Sequence, residues 1–274
     1  MRNEEIEIPK PEGRFRISVI GDSHVFGGMV FENTIPKQIE IFLNNDLELK
    51  KISGKKFEVV NAGIPTFNLR SIYFFYHYKV RQLQSDILFY LFHTNDFEET
   101  IYYPSQDSSG KTFFIAYPSL KYSGDLLNLL PYNIETFLAR NSYFYRYLLF
   151  VIESLKIKEK SSYNIVHPSQ LKYLDMMAAE AGEDNSLFVV SVLGTLKSMS
   201  SCNPDDFIRE VTEIFISHSR KLGLYVIDIS DVLCGMQIDK LDRGDHGHFS
   251  DFANNLLSRR IYEQMRRLIM EKFP

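Results

Sequence analysis

Near the start of the chain an apolar run, Phe15–Ile20, stops at Gly21-Asp22-Ser23-His24. A serine becomes a nucleophile when a base takes its proton and a third group orients that base. Over 200 residues later stands Asp245-His246-Gly247-His248. An Asp three residues before a His, on a loop closing into a helix, can reach the imidazole Nδ1. Ser23, His248 and Asp245 therefore form a candidate set for acyl transfer. The same residue types allow a second chemistry. The pairs Asp22/His24 and His246/His248, with Asn95 and Asp96, offer carboxylate, imidazole and amide ligands for a metal-dependent phosphoesterase. That alternative lacks a second Gly-Asp-x-x-Asp block. A phosphate-cradling loop does not fit, because Gly21, Gly27 and Gly28 match neither the P-loop nor Gly-x-Gly-x-x-Gly.

The elements that must position these residues alternate. Phe15–Ile20, Phe57–Asn61, Ile87–Phe92, Leu187–Leu193 and Leu224–Ile229 are apolar runs bounded by turn residues, as buried parallel strands are. Helical patterns lie between them at Pro36–Leu49, Leu69–Leu83, Ser169–Ala181 and Asp205–Leu222, and a last one spans Ser250–Lys272, with Leu257, Ile261, Met265 and Leu268 along one side. Strand–helix alternation predicts an α/β/α sandwich on a parallel sheet of about five strands. Ligands bind such sheets beyond the C-terminal strand ends. Ser23, Gly63, Asn95, Asp245 and His248 all fall at that edge, and His24 and His93 flank it as candidate substrate-binding residues. Asp22 is expected to cap the turn. His77, His167 and His218 are expected to serve a structural helix, a helix start and a helix surface, and the arginines of the last helix a solvated face.

Residues 97–163 break the alternation. Phe and Tyr make up about 22% of them against 14% of the chain, which marks an aromatic insertion in a single domain spanning 1–274. The aromatics are expected to pack an extra layer; a wall for a substrate is the alternative, and Asn141–Leu155 is apolar enough for a helix.

Composition narrows the function classes. Hydrophobic residues reach 45%, enough for a core, and the formal net charge of -4 provides no basic footprint for nucleic acid. The two cysteines, Cys202 and Cys234, are too few for a disulfide scaffold or a Cys-based zinc site; they are expected as reduced thiols, with one disulfide as the alternative. No apolar stretch approaches the roughly 20 residues of a membrane span. If Met1 is the natural start, the expected location is cytoplasmic; a leader or anchor removed upstream would place the protein outside.

At this point the chain resembles the SGNH (GDSL-type) hydrolases. Gly21-Asp22-Ser23, Asn61-Ala62-Gly63, His93-Thr94-Asn95-Asp96 and Asp245-His246-Gly247-His248 are similar, in order, to that family's four blocks. The resemblance implies a flavodoxin-like α/β/α fold and a serine esterase without metal or organic cofactor. Ser23 would be the nucleophile, with His248 and Asp245 completing the triad. Ser23, Gly63 and Asn95 would donate to the oxyanion. His248 has the family spacing from Asp245; His246 would need another acid, such as Asp242. The third block starts with His93 where the family usually has glycine. GDSHVFGGMVFENTIPKQIE, NAGIPTFNLRS and GHFSDFANNLLSRRIYE resemble bacterial members linked to polysaccharide acylation or deacylation, which makes a small acyl group such as acetyl on a carbohydrate the expected substrate. A non-catalytic glycan- or lipid-binding domain on the same fold is the third expectation.

Overall fold

The structure, a computed structural model, describes residues 5–28, 30–97, 170–245 and 247–273, the backbone of 100–106 and 112–118, and residues 138, 141, 142, 144 and 145. The chain divides into two compact units, Met1–Phe97 with Pro168–Pro274, and Glu98–His167. Within the second unit β4 (Thr100–Gln106) pairs antiparallel with β5 (Thr112–Pro118). His167 and nearly all of the helix expected over Asn141–Leu155 lie outside the described residues.

The first unit is built on a five-stranded parallel sheet in the order β2-β1-β3-β6-β7. Its strands are β1 (Arg14–Gly21), β2 (Lys56–Gly63), β3 (Ile87–His93), β6 (Leu187–Leu193) and β7 (Tyr225–Ile227). Side chains alternate across each strand. Phe15, Ile17, Val19, Phe57, Val59, Phe89 and Leu91 form one core with Ile39 and Leu43 of α2 (Ile35–Asn45) and Leu257 and Ile261 of α9 (Asp251–Lys272). On the opposite face Phe92 stacks on Phe215 of α7 (Asp206–Lys221) with centroids 4.0 Å apart, and Tyr90 meets the same ring edge-on. Helices on both faces give the three-layer sandwich that the alternation predicts.

Two expected helices are divided. The pattern over Pro36–Leu49 breaks at Asp46, whose backbone is extended and whose Oδ1 accepts from Glu48 and Leu49 N–H, starting α3 (Leu47–Ser53). Its Oδ2 accepts from Tyr262 and Arg266, so the break also fastens α9. Leu69–Leu83 resolves into α4 (Leu69–Phe75), a π turn over Tyr76–Val80 and a 3₁₀ turn. β7 is shorter than the run Leu224–Ile229 suggests. On α9, Arg260 pairs with Asp231 and Arg266 with Asp46 and Glu48, so these two arginines hold ion pairs. His77 bonds Glu180 of α5 (Leu171–Glu183), and His218 bonds Asp175 of the same helix.

The expected free thiols are instead joined: Cys202 and Cys234 form a disulfide with Cα atoms 5.2 Å apart. Cys202 caps α6 (Leu196–Ser201) in the left-handed region, and Gly235 N–H to Ser200 O with Ser200 Oγ to Met236 O draws in the segment carrying Cys234. Both bonds depend on contacts 32 or more positions apart along the chain, which spacing cannot reveal. Thiol titration of the denatured protein should find no free thiol before reduction and two after it.

The C-terminal edge depends on one close approach. α1 (Ser23–Phe26) lies against the end of β2, where a Cβ on Gly63 would stand 2.2 Å from Phe26 N and 2.7 Å from Val25 C. Those are backbone atoms that cannot swing aside. Gly63→Ala should therefore destabilise the protein by about 3 kcal/mol or more, measured by chemical denaturation.

Candidate active site

Ser23 opens α1 directly after β1, and Asp22 caps the helix by accepting from His24 N–H at 2.8 Å. The β1–β2 register pairs Gly21 with Gly63. At Gly21 a Cβ would meet Leu91 O at 2.8 Å, so the chain must turn there on glycine. Asn61, fully buried, donates to Val25 O at 2.9 Å and ties the short helix to β2.

The last block arrives on a loop held at both ends. Asp242 bridges Phe249, Arg243 N–H donates to His248 O at 3.0 Å, and Ser250 N–H donates to Leu241 O at 2.7 Å. α8 (Ile238–Leu241) precedes the loop, and Ser250 caps α9 after it. Within the loop Asp245 Oδ1 accepts from Gly247 and His248 N–H. This turn explains the Asp-x-x-His spacing: the carboxylate that folds the loop is also placed beside the imidazole.

The three expected residues meet in a hydrogen-bonded row. Asp245 Oδ2 lies 2.9 Å from His248 Nδ1, and His248 Nε2 lies 2.9 Å from Ser23 Oγ. A carboxylate only accepts, so Nδ1 carries the proton and Nε2 is free to accept from the Ser23 hydroxyl. Arg243 donates to the same Asp245 oxygen. Burial acts to raise the Asp245 carboxyl, but hydrogen bonds from His248 N–H, Arg243, the His248 ring and Gly247 N–H outweigh it and hold the group well below the usual carboxylate range.

Asn95 stands on a 3₁₀ turn, Thr94–Phe97, just past β3. Its Oδ1 lies 2.8 Å from His93 Nδ1, which leaves its amide N–H groups free among the described residues. His93 N–H donates to buried Asp96, which also accepts from Tyr90. Burial lowers the pKa of His93, and burial followed by the neighbouring His93 and His248 lowers that of His24 well below the ordinary value. The His24 ring lies 4.3 Å from His93 and 5.0 Å from His248.

Ser23, His24, His93, Asn95 and His248 line one cavity of about 510 Å³. Among the described residues Thr195, Leu196, Lys197, Ile238, Asp242 and Gly247 also line it; of these Asp242, as an acid for His246, and Gly247, within the last block, are named from the sequence, but not Thr195–Lys197 or Ile238. Thr195–Lys197 follow β6, so the strand-edge rule, applied to that strand as well, would have found them. Gly63 departs from expectation: its N–H already donates to Asn61 Oδ1 at 3.1 Å, and the residue is glycine because α1 packs onto it. Of the two expected metal pairs, Asp22 and His24 stand together, joined by His93. His246 lies outside the described residues, and both ring nitrogens of His248 are engaged by Ser23 and Asp245.

No protein-family model matches the chain, and no curated protein sequence matches it. Solved structures do. A protein of the lipolytic G-D-S-L family from Desulfitobacterium hafniense DCB-2 matches 90% of this chain and 98% of its own, with a TM-score of 0.50 and 14% identity. The psychrotrophic esterase EstA from Pseudoalteromonas, in a structure inhibited by monoethylphosphonate, matches 93% and 98%, with 0.51 and 11%. An acetyl-xylooligosaccharide esterase from Geobacillus matches 92% and 94%, with 0.53 and 12%. The chain shares their fold. At these identities the likeness is one of architecture.

Thr66, on the loop after β2, adopts φ 70°, in the left-handed region that disfavours a β-branched side chain. Thr66→Gly should relieve this and raise the unfolding free energy by up to about 1 kcal/mol, after the entropy of glycine is subtracted. Urea denaturation measures the change.

Proposed function

We propose that the chain is a serine ester hydrolase with Ser23 as nucleophile, His248 as general base and Asp245 as the group that orients it. The observation that carries this reading is the row Ser23 Oγ–His248 Nε2 and His248 Nδ1–Asp245 Oδ2, 2.9 Å at each step, formed by residues 225 positions apart. In the reaction His248 Nε2 takes the Ser23 proton as Oγ attacks the ester carbonyl, then returns it to the leaving alcohol. An acyl-enzyme forms on Ser23, and water, deprotonated by the same nitrogen, releases the acid. Asp245, held ionised, stabilises the imidazolium that appears in both halves.

The oxyanion needs donors placed where charge develops. Ser23 N–H, at the first position of α1, has no partner within the helix. The Asn95 amide, turned by its Oδ1 bond to His93, is the second donor. The Gly63 N–H is already committed to Asn61, so no role as a third donor is assigned to it.

For the substrate we propose a small acyl group, such as acetyl, carried on a sugar. The sequence resemblance to bacterial proteins of polysaccharide acylation supports this, as does a cavity wall rich in polar side chains, Lys197 and Asp242 among them. Transfer to a sugar hydroxyl instead of water would use the same acyl-enzyme.

On an activated acetate ester, Ser23→Ala and Asp245→Asn should each lower kcat by about 10,000-fold or more with the fold intact by circular dichroism. Asn95→Ala should cost about 100- to 1,000-fold. A serine-directed phosphonate should label Ser23 stoichiometrically in the wild type. Unchanged turnover in Ser23→Ala would refute the assignment. With acetylated xylose or glucose as substrate, acetate release should exceed hydrolysis of an eight-carbon acyl ester by at least about tenfold, a ratio expected when a small pocket leaves a long chain in water.

A further inference from the structure

Beside Ser23 lies a group of side chains to which the proposed reaction gives no acid, base or nucleophile role. One carboxylate oxygen of Asp22 and one ring nitrogen each of His24 and His93 lie within 4.8 Å of one another. All three residues are buried, at 1%, 8% and 8% exposure. Asp22 Oδ1 holds the His24 N–H, but its Oδ2 has no hydrogen-bond partner among the described residues. His93 uses Nδ1 toward Asn95, which leaves Nε2. Among the described residues neither ring nitrogen of His24 is hydrogen-bonded. Buried polar atoms are satisfied in the great majority of cases. Here the unsatisfied Asp22 Oδ2 belongs to a carboxylate grouped with two imidazoles.

We propose that Asp22, His24 and His93 bind one divalent transition-metal ion of the zinc class. One carboxylate and two imidazoles are a donor set such ions favour. Imidazole ligates in its neutral form. Metal bonds of about 2.0–2.2 Å put neighbouring ligand atoms roughly 3.4 Å apart in a tetrahedral site, so the group closes by at most about 1.4 Å on binding. Torsions of the three side chains can supply that movement. A fourth position is left for water. The backbone is already fixed, since Asp22 caps α1 and His93 ends β3.

This ion differs from the two-metal arrangement weighed from the sequence. It leaves His248 bonded to Ser23 and stands beside the nucleophile without activating water for attack. Its charge acts on the reaction through His248, whose ring is 5.0 Å from that of His24. A cation there disfavours the imidazolium that must form, so occupancy should slow ester hydrolysis. The binding claim does not depend on the esterase reading.

The full-length chain, stripped with chelator and dialysed, is titrated with ZnCl₂ by calorimetry and with CoCl₂ by visible absorption. The expected result is one ion per chain, with cobalt bands of a four- or five-coordinate site. Asp22→Asn and His93→Gln, each checked for fold by circular dichroism, should weaken Kd by about tenfold or more. His248→Ala should still bind. Activity on an acetate ester should fall in step with zinc occupancy in the wild type. No stoichiometric binding, an octahedral cobalt spectrum of a loosely held surface ion, or binding lost in His248→Ala but kept in His93→Gln would overturn the proposal. The wild-type cobalt spectrum decides it if a variant fails to fold.

Discussion

The contact between α1 and the end of β2 sets the geometry of everything at the functional edge. Gly63 has no Cβ, so the backbone of Val25 and Phe26 can lie on it, and Asn61 fastens the contact with a hydrogen bond to Val25 O. The Gly21–Gly63 register then aims Ser23 out of the sheet at a fixed height. A larger residue at either glycine would push the helix away from the strand. The reach from Ser23 to His248 tolerates little of that, because a hydrogen bond weakens steeply beyond its normal length.

The electrostatics of the edge divide into two parts. On the solvent side Asp245 is surrounded by donors and kept ionised. On the inner side His24 and His93 are desolvated, which disfavours their charged forms. His248 lies between a fixed negative charge and a pair of imidazoles that resist protonation. Asp22 adds a buried carboxylate to the inner side, and its unpaired oxygen is why that side reads as a cation site.

The aromatic insertion was expected to be the main departure from the alternation, and its hairpin β4–β5 is the regular structure described there. Among the described residues, the cavity wall includes the residues that follow β6. Lys197 and Asp242 place charges of both signs on this wall.

Much of this was readable along the chain. The five apolar runs and the helical patterns between them follow from periodicity, a local property, and so does the choice of a three-layer sheet. The Asp-x-x-His spacing is local as well, because Asp245 folds the turn that presents His248. Where the sequence reading erred, the cause lay elsewhere in the molecule. Asp46 breaks a helical pattern by capping α3 with one carboxylate oxygen, while the other accepts from Tyr262 and Arg266 of α9. Cys202 and Cys234 meet because two loops converge. At Gly63 the motif points to a donor, while the fold adds what the motif does not state: an N–H donating to Asn61 and a missing Cβ that lets α1 pack. Residue type and spacing therefore determine which chemical groups this protein carries and the edge to which they are delivered. Which atoms meet is decided in three dimensions, because hydrogen bonds and close packing act between positions that may be 225 residues apart and depend on tenths of an ångström.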